Sequence, residues 1–151
     1  MDALAVNVET SEELLPDGTR TWQYVHLFVN GEDLLELVRR AEEPYARVDE
    51  RIAGSYFGLP PEWVLPPSPH FFGEPRNDDD DDLDGKTFLL GCTCGVPECS
   101  PLTARVTMTD NTVTWSEFGN PNRPSWTLDQ LGPFIFDRSQ YEEALSGARW
   151  D

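Results

Sequence analysis

Three cysteines crowd one short stretch, Gly91-Cys92-Thr93-Cys94-Gly95-Val96-Pro97-Glu98-Cys99-Ser100-Pro101, at a C-x-C-x4-C spacing. Thiolates are soft donors, and three that converge could hold Zn2+, which takes four ligands in structural sites. The fourth donor would come from His26, His70 or a carboxylate such as Glu98. The second paired knuckle of common structural zinc sites is missing, so inert packing competes with this reading. Free cysteine behaves as a small, readily buried hydrophobe. Redox chemistry, including a reversible disulfide within the trio, is a further use of the same atoms.

A catalytic thiol needs a base and an orienting group. His26 and His70 are the only histidines. His26 falls in a predicted strand on the side of Trp22, Tyr24 and Phe28, where packing or hydrogen bonding is the expected role. His70 follows several prolines and is tied to no motif. A thiol enzyme built on one of the cysteines would reveal itself by a low-pKa thiolate.

A second constellation is the acidic run at residues 78–84. Asp80, Asp82, Asp84 and Gly85 match the first, third, fifth and sixth positions of a calcium-binding EF-hand loop. The template then fails: its final position needs a bidentate Glu and holds Gly91, and proline-rich chain precedes the run where a helix is required. A solvated acidic loop is the favoured reading, with calcium at Asp80, Asp82 and Asp84 the alternative. Phosphate-binding, dinucleotide-binding, zinc-protease and serine-hydrolase signatures are all absent.

Charge narrows the partners. The 151 residues carry 28 acidic against 11 basic side chains, a net charge of −17. Such a surface repels nucleic-acid phosphates and anionic membranes and attracts basic molecules. The expectation is a non-catalytic interaction protein that binds a basic protein partner. It would act in the manner of an immunity protein or inhibitor, or by offering carboxylates in place of DNA phosphates. Solubility alone is the plainer explanation of the charge. Direct nucleic-acid binding and membrane association are not expected. The opening residues show no signal-peptide pattern, and no run of 18 apolar residues occurs, so no span is expected. An odd cysteine count argues against a disulfide framework. A cytoplasmic protein is therefore expected. Lys86 is the sole lysine among the basic residues, an arginine bias that suggests a GC-rich bacterial genome.

The elements that must position these groups follow from pattern. Residues 3–9 alternate, and residues 20–29 are aromatic and β-branched, as strands are. Pro16-Asp17-Gly18 between them supplies turn chemistry, so an antiparallel hairpin is predicted. Leu34, Leu37, Val38 and Ala41 recur at helical spacing within residues 32–43, and Pro44 is expected to limit that helix. A short helical turn is expected between residues 45 and 57. From Pro60 to Pro75 prolines are too dense for a helix or a central strand. The interspersed Trp63, Val64, Leu65, Phe71 and Phe72 suggest a segment laid across the core. Strands are predicted at residues 86–90, 104–109 and 112–118, with Asp110-Asn111 as a hairpin turn. A fourth strand is expected near residues 124–128. Asp137 reads as the N-cap of a helix over residues 138–146, with Gly147 as its stop.

The cysteine stretch resembles a Gly-Cys-x-Cys-Gly…Cys…Pro-Leu segment of bacterial proteins of unknown function. The matching residues are Gly91, Cys92, Cys94, Gly95, Cys99, Pro101 and Leu102. The likeness covers the last 65 or so residues better than the rest and implies a loop between strands, with no activity attached. Together these readings give an α+β fold: one domain over residues 1–151, a mostly antiparallel sheet made of an N-terminal hairpin and a C-terminal meander, and two packed helices. Residues 59–85 form its irregular Pro/aromatic-rich and Asp-rich stretch.

Overall fold

The computed structural model describes residues 1–74, 85–94, 96 and 99–148. Strand β1 (Leu4–Leu15) turns through Pro16-Asp17 into β2 (Gly18–Val29). The two pair antiparallel over their full length, from Leu4 opposite Val29 to Leu15 opposite Gly18. Alternation sends Leu4, Val6, Val25, Leu27 and Val29 into the core. The other face carries Trp22, Tyr24, His26 and Phe28. The two-residue strand β3 (Glu32–Asp33) completes a three-stranded sheet in the order β1-β2-β3.

Helix α1 (Leu34–Asp49) begins where the Asp33 carboxylate accepts from the Leu35 N–H, an N-cap satisfying an otherwise orphan donor. It runs past Pro44 rather than ending there. Tertiary contacts hold the extra turns: Tyr45 stacks near Trp126, and the Trp126 indole N–H donates to Asp49. Burial of Ala46 on the inward face adds to them. The expected helical turn after residue 44 is thus the end of α1, which Glu50 closes in a left-handed conformation.

The second sheet is a meander with strands in chain order: β4 (Tyr56–Phe57), β5 (Thr87–Cys92), β6 (Leu102–Met108), β7 (Thr112–Gly119) and β8 (Phe134–Asp137). Its β6–β7 register places Val106 opposite Trp115 and Met108 opposite Val113, joined through Asp110-Asn111. The strand expected near residues 124–128 does not form. That stretch runs in successive turns, closed by Arg123 N–H to Asn120 and Trp126 N–H to Arg123. Pro124 removes a ladder donor, and the Trp126 ring is committed to Arg123 and Tyr45. The fourth long-range strand is β8 instead.

Between the sheets lies the proline-rich stretch, where, against the expectation of no helix, a one-turn helix α2 (Pro61–Val64) forms with proline at its first position, which needs no N–H donor, and a 3-10 turn follows at His70–Phe72. Val64, Leu65, His70 and Phe71 are fully or almost fully buried, so this stretch is part of the core. Helix α3 (Arg138–Ser146) caps on Asp137, which accepts from the Gln140 N–H, and ends at Gly147. Its Tyr141 hydroxyl accepts from the Trp115 indole and donates to the Phe71 carbonyl. One hydrophobic cluster, from Leu4 and Val25 through Phe71 to Trp115 and Leu145, spans both sheets.

Candidate functional site

The cysteine loop joins neighbouring antiparallel strands. Cys92 ends β5, where it pairs with Tyr56 of β4, and Leu102 opens β6. The loop folds back on itself: the Cys94 N–H donates to the Cys92 sulfur, and the Cys99 N–H donates to the Val96 carbonyl. As a result the Sγ atoms of Cys92, Cys94 and Cys99 all lie within 4.8 Å of one another. Cys92 is half-buried, and Cys94 and Cys99 are exposed. No disulfide joins them.

The thiols are electrostatically unequal. A backbone hydrogen bond at Val96, then the Cys92 and Cys99 side chains, hold the Cys94 thiol below its ordinary pKa. Cys99 is pushed up to about 11 by its hydrogen bond to Cys94 and by that neighbour's charge. The three thiols can therefore act as a group, and their spacing could accommodate a metal ion. Sulfurs around a tetrahedral zinc stand about 3.8 Å apart, from Zn–S bonds of about 2.3 Å, so only a small contraction of the trio is needed.

Neither histidine joins this group. His70 is buried, stacked on Trp63, with its Nε2 against the Phe88 carbonyl. His26 is held on both ring nitrogens, Nδ1 by Glu9 and Nε2 by Asp33 at 2.8 Å. Among the described residues no further His, Asp or Glu completes the cysteine cluster. Glu98, and the run containing Asp80, Asp82 and Asp84, lie outside the described residues.

No protein-family model, curated protein or solved structure matches the chain.

Two features around the thiols have no counterpart in the sequence reading. The first is a polar chain leading into the loop. Glu42 is fully buried on the inward side of α1 and accepts from the Tyr56 hydroxyl and the Gly54 N–H. Asn120 donates to both the Tyr56 oxygen and the Ser100 hydroxyl, and its own carbonyl accepts from the Asn122 N–H. Asn122 in turn donates to the Cys99 carbonyl at 2.6 Å. Burial, with the nearby Glu42 carboxylate, pushes the Tyr56 phenol well above its usual pKa, so it stays a donor. The series Leu34, Val38, Glu42, Ala46 was the available signal: a carboxylate stands at a core position of a helix. Nothing local marks Asn120.

The second feature is an open cleft of about 1090 Å³ between the cysteine loop and the outward face of the hairpin. Cys92, Cys94, Trp22, Phe57, Glu13 and Glu62 are among the residues lining it. Its wall depends on Gly58, where a Cβ would stand 2.2 Å from the Val25 carbonyl oxygen. That bare backbone lets Leu59 accept from the Val25 N–H and seats Phe57 on Tyr24 at 4.5 Å between ring centroids.

The His26 cluster sits further along the same face. Burial lowers the imidazole pKa, but hydrogen bonds accepted by the Asp33 and Glu9 carboxylates outweigh it, and the net shift is upward. A raised folded-state value stabilises the fold below the unfolded pKa of about 6.5 and loses that contribution as pH climbs through the folded value. Wild type should therefore exceed His26→Gln in stability most at about pH 5.5, with the gap narrowing by about pH 8.5. Denaturant melts at the two pH values check this.

Proposed function

We propose that this chain is a zinc-binding protein in which Cys92, Cys94 and Cys99 supply three thiolate ligands. The observation that carries the reading is the mutual approach of the three sulfurs within 4.8 Å on an accessible loop. Thiolate donors suit zinc, and the exposure of Cys94 and Cys99 leaves the trio open to an incoming ion. Zinc here ties the end of β5 to the approach of β6 and sets the rim of the cleft. Both imidazoles are committed elsewhere, and among the described residues no carboxylate completes the set, so the fourth position is open to Glu98, to water or to a molecule occupying that cleft. Metal analysis of protein expressed in zinc-replete medium should give one zinc per chain, lost from a variant with all three cysteines replaced by serine. Protein that emerges without stoichiometric zinc would end this reading.

A second reading concerns a basic protein partner. It is favoured by the net charge of −17 and by carboxylates that the fold leaves unpaired on the projecting hairpin. Glu12 is one of these: it is exposed and has no ion-pair partner among the described residues. The cleft beside the thiols is also lined by Thr10 and Glu13 of the hairpin, so a basic partner there would sit next to bound zinc.

A further inference from the structure

The β1–β2 ladder makes the odd-numbered residues of β1 turn their N–H and C=O toward β2, and the even-numbered ones turn theirs outward. At Leu4 the outward groups are met by a side chain acting as a strand. The Gln140 amide accepts from the Leu4 N–H at 3.0 Å and donates to its carbonyl at 2.6 Å. Nearby, the Asp2 N–H donates to the Ile135 carbonyl of β8. Beyond this latch the edge is bare. Among the described residues nothing hydrogen-bonds the outward backbone groups of Val8, Thr10, Glu12 or Leu14. Thr10, Glu12 and Leu14 are exposed, Leu14 to 87%. A row of unpaired backbone groups of this length is a template for one more strand.

We propose that the outer edge of β1 from Val8 to Leu14 docks an extended, lysine- or arginine-bearing segment of a partner protein as an additional antiparallel or parallel strand. This rests on the basic-partner reading and names its surface. Charge selects the occupant. Glu9, Glu12 and Glu13 flank the edge, and a second copy of the chain would bring the same carboxylates alongside them, which is unfavourable across a strand pair. A basic strand gains from the same arrangement: Glu12 is free to pair, while Glu13 already holds Arg20 and Glu9 holds His26. Backbone pairing supplies affinity, and alternate side chains supply selection by charge.

Proline at position 10 isolates the idea. The Thr10 N–H points outward, so Thr10→Pro removes an edge donor without taking a bond from the β2 ladder. The probe is a capped synthetic peptide alternating lysine with valine, titrated into the full chain at low salt. The amides of Val8, Thr10, Glu12 and Leu14 should gain protection from hydrogen exchange, and Thr10→Pro should keep its melting temperature while its affinity drops about tenfold or more. Raising salt should weaken wild-type binding. Peptide binding with protection elsewhere, or full affinity in Thr10→Pro, overturns the edge while leaving a basic partner standing. No binding at low salt overturns both. Protection of the same amides without peptide, in a chain that sediments as a dimer, assigns the edge to a second copy and also overturns the proposal. Should Thr10→Pro unfold, the wild-type exchange pattern decides.

Discussion

In excess zinc, Cys94→Ser should melt about 10 °C below wild type, and the two proteins should melt together once a chelator has removed any zinc. The size follows from linkage. A ligand present at a thousandfold excess over its dissociation constant adds about 4 kcal/mol to the folded state, and for a chain of this size each kcal/mol is worth about 2–4 °C. Serine keeps the shape of the side chain but is a poor zinc ligand, and Cys94 is exposed, so little packing changes with it. The chelator arm separates metal loss from any intrinsic cost. Equal melting in zinc would mean that the thiols only fill space. Calorimetric scans with and without zinc carry the comparison.

Asn120→Ala is the second large effect, and it acts at a distance from the thiols. The side chain donates to Tyr56 and Ser100 and accepts from the Asn122 N–H. Its truncation leaves the buried Tyr56 and the half-buried Ser100 each short of a partner, at about 1–3 kcal/mol for the worse of them. Asn122, no longer fixed, loses its hold on the Cys99 carbonyl. Zinc affinity should fall about 10–100-fold, the usual consequence of removing a group that orients a ligand. Asn122→Ala breaks only the last link. It should lower affinity with a smaller loss of stability, and competition titration with a chromophoric chelator alongside urea melts distinguishes the two variants. Affinity unchanged in Asn120→Ala would mean that the loop sets its own geometry.

Much of this architecture was legible because local chemistry and the final fold agree. Pro16-Asp17-Gly18 between alternating segments does form the hairpin turn, and Asp137 does cap a helix running from Arg138 to Ser146. The meander register at Val106 and Trp115 follows from the two-residue turn at Asp110-Asn111. The misreadings share one cause, which is tertiary contact overriding a local signal. Pro44 should have stopped α1, but Tyr45, Ala46 and Asp49 have partners only if the helix continues. The apolar content of residues 124–128 suggested a strand, yet Trp126 is spent on α1 and Arg123. The cysteine trio was visible as a spacing, whereas its convergence depends on loop closure at Val96. The histidines proposed as a fourth ligand could be placed only by the fold: Glu9 and Asp33 reach His26 across the sheet, and Phe88 reaches His70 from another strand. Asn120 was invisible for the same reason, because its partners lie 20 and 64 positions away.

The latch between Leu4 and Gln140 joins positions 136 residues apart. A nascent chain can close the hairpin as soon as β2 leaves the ribosome, and α1 and α2 can then cover β2, but the β1 side of that ribbon gains its contacts with α3 only when that helix emerges. Formation of the complete core therefore awaits α3, since pairings this distant close late and slowly. During that interval the carboxylates along the ribbon discourage neighbouring chains from sticking to one another.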